Sequence, residues 1–115
     1  EKEKLFNTEK LPELDCLTHI VNGEFKYKTV DEIKGSGYVI ESLEAALWSF
    51  WHTNNFRDAI LTAANLGDDA DTTAAICGQL AGAYYGYDAI PQDWLDVLYR
   101  KNDIVKIAEQ LSPLN

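Results

Sequence analysis

The sequence predicts an all-α fold, a compact orthogonal helical bundle, and three observations carry that prediction. Apolar residues recur at three- and four-residue spacing in successive segments. Helix starters and stoppers punctuate those segments: Asn22-Gly23, Asn54-Asn55, Gly67, Gly86, Pro91 and Pro113. Residues 66–87 open with a cluster of acids and run on as small apolar residues, which reads as a long helix with an acidic first turn. The 115 residues suit a single helical domain spanning 1–115.

Residues 1–11 are charged and lack a clear period, which predicts a loosely ordered start, helical around residues 4–7. Pro12 suits a first helical position. Leu14, Leu17, Thr18 and Val21 then fall at helical spacing, and Asn22-Gly23 stops the helix. His19 in this helix reads as a surface or packed residue, not a ligand. Residues 23–28 read as a turn and a short extended piece. Thr29 caps a short helix over 30–34, with Glu32 completing a capping box. Gly35-Ser36-Gly37 reads as a helix stop and a turn, since it lacks the Lys-Ser/Thr ending of a phosphate loop.

Residues 42–53 form a strong helix: Leu43, Ala46, Leu47 and Phe50 share a face that Trp51 extends. Trp48 and Trp51 read as core, and His52 sits where the helix dipole favours positive charge. Asn55 caps the next helix, with Asp58 as its box-like partner. Ile60, Leu61, Ala64 and Leu66 give that helix its buried side, and Gly67 ends it.

Asp68, Asp69 and Asp71 then place three carboxylates in four residues, followed by Thr72 and Thr73. A helix over 71–85 follows, with Gly86 as its stop. Two readings of the acids stay open on the residues alone. They cap the helix, which one Asp could do. Or they hold a hard cation, which takes carboxylate and hydroxyl oxygens. The second reading addresses their mutual repulsion, because no Lys or Arg lies between Arg57 and Arg100. An EF-hand is excluded: counting from Asp69, Ala74 stands where a Gly is needed and Leu80 where a Glu is needed.

Gly78, Gly82 and Gly86 fall four apart, along one side of this helix. Each helix-interior Gly costs about 1 kcal/mol relative to Ala, and the return is close approach of another helix. The run is shorter than the about 20 residues of a bilayer span, and Gln79 interrupts it, so a buried central helix is expected. Pro91 opens a helix over 92–100 with Trp94, Leu95 and Leu98 inward. Asn102 or Asp103 caps a last helix with Ile104, Ile107, Ala108 and Leu111 on one side, ended by Pro113. There is no internal repeat or low-complexity linker.

Composition excludes several classes. The net charge of −9 argues against nucleic-acid binding and against an anionic membrane surface. Cys16 and Cys77 form no Cys-x-x-Cys or Cys/His cluster, so no structural zinc site is expected, and Cys77 reads as a small core residue. No signal peptide or membrane span is visible, which predicts a cytoplasmic protein with reduced thiols.

At residues 67–74 and 82–86, Gly-Asp-Asp-Ala-Asp-Thr-Thr-Ala and Gly-Ala-Tyr-Tyr-Gly, the sequence resembles the carboxyl-terminal signature of the ADP-ribosylglycohydrolases. This family includes the dinitrogenase reductase activating glycohydrolase and the ADP-ribosyl-acceptor hydrolases. Gly35-Ser36-Gly37-Tyr38-Val39, residues 43–48 and Asn22-Gly23-Glu24 add to the likeness, which covers residues 20–111. The resemblance implies the carboxyl-terminal portion of an all-α fold, two divalent cations (Mg²⁺ or Mn²⁺), and hydrolysis of the glycosidic bond between ADP-ribose and a modified protein side chain.

By motif position, the resemblance implies Asp69, Asp71 and Thr72 as metal ligands, with Asp71 bridging the ions, and Ser36, Gly37 and Tyr38 lining the ADP-ribose pocket. Asp68 stands where relatives often have Gly and is left out. Full members are much longer, and their amino-terminal half carries Gly-Asp and Thr/Ser-Asp-Asp motifs absent here. That half supplies the remaining ligands and the carboxylate that assists the water. No catalytic residue is therefore expected in this chain, which holds about half of the binuclear site and is inactive alone. A non-catalytic ADP-ribose-binding or assembly module is the alternative. The expected partners are ADP-ribose or an ADP-ribosylated protein, and a second copy or the complementary amino-terminal part.

Overall fold

A computed structural model describes Lys2 and residues 18–33, 39–66 and 69–112. Among these lie six α-helices, some 3-10 turns and no strand: α1 (Thr18–Val21), α2 (Val39–Trp51), α3 (Phe56–Ala64), α4 (Ala70–Tyr85), α5 (Gln92–Val97) and α6 (Lys101–Leu111). The all-α expectation holds. Expectations for residues 1–17 other than Lys2, for Gly35, Ser36, Gly37 and Tyr38, and for Gly67, Asp68 and Pro113 lie outside the described residues.

The core is where α2, α3 and α4 meet. Ala46 and Phe50 from α2, Phe56, Ala59 and Ala63 from α3, and Cys77 and Ala81 from α4 are buried together. Most of these side chains are small, so the backbones come close, and Phe50 fills the space that remains. A second cluster of Ile20, Phe25 and Leu47 seats α1 and the following 3-10 turn (Glu24–Tyr27) on α2. Leu80 of α4 packs against both clusters and links them.

Polar groups lock that second contact. Glu44 of α2 is buried, and its carboxylate meets Lys28 Nζ at 2.9 Å and His19 Nε2 at 3.6 Å. Trp48 Nε1 donates to the Lys28 carbonyl at 2.8 Å. A buried carboxylate needs such partners, since leaving it unpaired is costly.

The local signals at helix starts are met where a side chain supplies them. Asn55 Oδ1 accepts the Asp58 N–H at 2.8 Å, and Asn55 Nδ2 donates to Asp58 Oδ2 at 2.8 Å. Glu32 Oε1 reaches back to the Thr29 N–H at 3.0 Å, although the segment it starts is only a 3-10 turn, Val30–Glu32. Gly86 stops α4 with φ 89°, its N–H on the Gly82 carbonyl at 2.9 Å.

Several details differ from expectation. Residues 23–28 carry a 3-10 turn in place of an extended piece, and α2 begins at Val39, three residues early. The helix after Pro91 ends at Val97, because Leu98 turns extended and Arg100 takes a left-handed backbone with φ 57°. Leu98 is consequently exposed, not inward. Arg100, not Asn102 or Asp103, stands before α6: its carbonyl accepts the Ile104 N–H at 3.1 Å and its Nε meets Asp103 Oδ2 at 2.8 Å. α4 is buried along the Thr73, Cys77 and Ala81 stripe only, with Ala75, Gln79 and Ala83 exposed. A Cβ on Gly78 would meet Ile60 Cδ1 at 3.6 Å and one on Gly82 would meet Phe56 Cε2 at 3.9 Å, ordinary contacts with side chains of α3.

Candidate functional site

The acidic turn sits between α3 and α4, and each helix fixes one side of it. α3 closes at Asn65, whose N–H and side-chain Nδ2 both bond the Leu61 carbonyl. α4 opens at Asp69, whose carbonyl accepts the Thr73 N–H at 3.1 Å. Asp69 thus holds the capping position, yet its side chain makes no cap hydrogen bond. Asp71 follows two residues on, and hydrogen bonding with the Asp69 side chain holds its carboxyl below the ordinary range. The Thr72 N–H, 3.0 Å from Asp71 Oδ1, and Asp71's own N–H push it the same way.

Asp69 is half-buried, while Asp71 and Thr72 are exposed. Two carboxylates and a hydroxyl therefore share one solvent-facing helix turn, at the positive end of the dipole. These are hard oxygen donors of the kind that suit Mg²⁺ or Mn²⁺, so the residues present fit such an ion. Among the described residues, no group of three His, Cys, Asp or Glu side chains gathers to hold a metal.

Thr73 is the residue that sequence reasoning left without a role. It is buried to 1% exposure, and its hydroxyl makes no hydrogen bond. The signal was its place four and eight residues before Cys77 and Ala81, on the buried stripe of α4. Cys77 is buried as expected, its Sγ 3.5 Å from the Ala59 carbonyl, and burial pushes the thiol up to about 11. His19 pairs with Glu44, and His52 lies with its ring 4.7 Å from that of Trp48. Ser36, Gly37 and Tyr38 lie outside the described residues. An apolar groove of about 510 Å³ runs between α5 and α6, lined by Tyr87, Ile90, Leu98, Ile104, Val105 and Ala108 among others.

The site thus belongs to an all-α bundle whose longest described helix has Asp69 and Asp71 at its start and Tyr84-Tyr85-Gly86 at its end. The sequence profile of the ADP-ribosylglycohydrolase family matches residues 4–115, and the chain belongs to that family. It is 55% identical over 111 residues to the ADP-ribosylarginine hydrolase Tri1 of Serratia proteamaculans (strain 568), covering 96% of this chain and 30% of that protein. It is 40% identical over 68 residues to the ADP-ribosyl-[dinitrogen reductase] glycohydrolase of Rhodospirillum rubrum, covering 59% of this chain and 23% of that protein. A solved structure, an ADP-ribosylglycohydrolase-related protein complex, superposes with TM-score 0.79 at 39% identity, over 90% of this chain and 36% of that one. The chain thus spans less than a third of the length of either curated relative.

Proposed function

We propose that the chain is the carboxyl-terminal part of a metal-dependent ADP-ribosyl hydrolase. The reaction is hydrolysis of the glycosidic bond between ADP-ribose and a modified protein side chain. The observation that carries this reading is the start of α4, where Asp69 and Asp71 stand two residues apart and the Asp69 carboxyl makes no cap hydrogen bond. The family of the chain supports it. The 55% identity to a protein named as an ADP-ribosylarginine hydrolase makes ADP-ribosylated arginine the substrate to test.

In this reading Asp69, Asp71 and Thr72 would hold divalent cations through their side-chain oxygens. When bound, the cations supply positive charge for ribose hydroxyls and for an attacking water. This chain's own part is to present the oxygens from a turn that α3 and α4 hold on both sides. Ser36, Gly37 and Tyr38 line the ADP-ribose. The remaining ligands and the carboxylate that assists the water come from the amino-terminal part of the longer fold. The chain alone therefore supplies about half of the site and does not turn over. Residues 1–115 act as one helical domain, in the cytoplasm.

The test is a calorimetric titration with Mn²⁺ and Mg²⁺, on this chain and on a longer protein that carries it. Asp71→Asn is expected to lower affinity at least ~10-fold in the longer protein and to remove hydrolysis of ADP-ribosylarginine. Unchanged metal affinity in Asp69→Asn and Asp71→Asn would leave the acids as a plain helix cap. Metal-independent binding of ADP-ribose without turnover would make the chain part of a binding module.

A further inference from the structure

The last carbonyls of a helix have no intrahelical partner and sit at the negative end of its dipole. At the C-terminal end of α2, the carbonyls of Phe50, in its last turn, and of Thr53, just past it, turn toward one donor, the ammonium of Lys2. The distances are 2.6 Å to Phe50 O and 2.7 Å to Thr53 O. Both carbonyls are 48 or more residues away in sequence, so this is a tertiary contact.

Three aromatic rings stand around the same nitrogen. Lys2 Nζ is 4.3 Å from the ring centre of Phe50, 5.4 Å from that of Tyr85 and 5.6 Å from that of Tyr84. All three fall within the range where a ring face attracts a cation. The rings also hold one another. Phe50 meets Tyr84 edge-on at 5.3 Å, and Tyr84 meets Tyr85 edge-on at 5.0 Å. The Tyr85 hydroxyl lies 3.4 Å from the Thr53 carbonyl that Lys2 also bonds. Phe50 is itself 1% exposed, so one wall of the box belongs to the rigid core.

Each part of this arrangement has the chemistry of a cation receptor. Two carbonyls take two of the three ammonium protons. The ring faces supply negative quadrupole where water is partly excluded. The walls come from two helices of the main core, α2 and α4. We propose that the C-terminal end of α2, with Tyr84 and Tyr85 of α4, is a receptor site for a primary alkylammonium, occupied in cis by Lys2. The contact holds the Lys2 ammonium at the α2–α4 junction. It also gives the Tyr84-Tyr85 pair a role besides packing, at the opposite end of α4 from the acidic turn. The inference does not depend on the metal-site reading.

Two measurements test it. The first is reductive methylation of the folded wild-type protein, with each lysine followed by mass spectrometry. Lys2 should react on the order of tenfold more slowly than exposed Lys106, and the difference should vanish in urea. The second is a melting series on Lys2→Ala with n-butylammonium chloride, against sodium chloride at equal ionic strength. n-Butylammonium should raise the midpoint of Lys2→Ala and not that of the wild type, whose site is filled. Adding Tyr84→Leu should abolish the effect. Equal methylation of Lys2 and Lys106 overturns the proposal, as does a Lys2→Ala protein that n-butylammonium stabilises no more than sodium chloride does.

Discussion

Asn55 shows how one side chain sets a helix start. Its Oδ1 accepts an orphan backbone N–H while its Nδ2 holds the Asp58 carboxylate. Asn55→Ala is expected to cost about 1 kcal/mol of stability by urea denaturation. Cys77 shows the opposite case, a residue governed by its surroundings. Burial raises its thiol from the ordinary 9.0 to about 11. The folded state therefore holds the thiol proton more tightly than the unfolded state. That contribution is complete below pH 9 and is lost as the pH rises toward 11. At neutral pH, iodoacetamide should label Cys77 much more slowly in the native protein than in urea, as read by mass spectrometry. Glu32 titrates in the other direction. The Thr29 N–H and hydroxyl hold its carboxyl below 4.5, so its support for the turn fades as the pH falls below that value.

Among the elements, α4 is the informative one, because its glycines are not equivalent. Gly86 has φ 89°, a backbone that a Cβ strains. Gly78 is helical, and an added Cβ would find an ordinary contact at 3.6 Å. Gly86→Ala should destabilise by roughly 1 kcal/mol or more. Gly78→Ala should be neutral or stabilising by up to about 1 kcal/mol, since it removes a helix-interior glycine. A pair of thermal melts decides this. Opposite signs support the assignment, and a large loss at Gly78 would mean that α3 lies closer than the contacts indicate. At the α2–α3–α4 junction, Phe50→Ala should cost about 3–5 kcal/mol, because the ring fills the centre of a core of small residues.

At the scale of the molecule, α6 stands out among the described α-helices for its exposed apolar side chains. None of its residues is buried, and Ile104, Ile107 and Leu111 are 49%, 55% and 77% exposed. Val97, Leu98 and Tyr99 continue the bare apolar surface beside it. A patch of this kind marks a place where something packs. If the chain is part of a longer hydrolase, as proposed above, the rest of that fold covers this face; the chain aligns to 36% of the similar solved chain. The isolated chain should then self-associate as concentration rises, and Ile104→Lys with Ile107→Lys should keep it monomeric in sedimentation. A monomeric wild type at high concentration would remove the face as a docking surface.

The sequence by itself determined the all-α class and the caps at Asn55 and Gly86, together with the acidic start of α4 and the family. These rest on local chemistry, side-chain oxygens at orphan N–H groups, and on periodicity that a short window contains. It misplaced the end of α5 and the start of α6. There Arg100 adopts a left-handed backbone that no local residue preference announces. Only the tertiary structure decided that Cys77 of α4 sets its thiol against the Ala59 carbonyl of α3. The same holds for Glu44, which gathers Lys28 and His19, and for Lys2, which reaches the carbonyls of Phe50 and Thr53. Those partners are brought together by the packing of helices on one another, and sequence spacing carries no trace of where a distant backbone carbonyl will point.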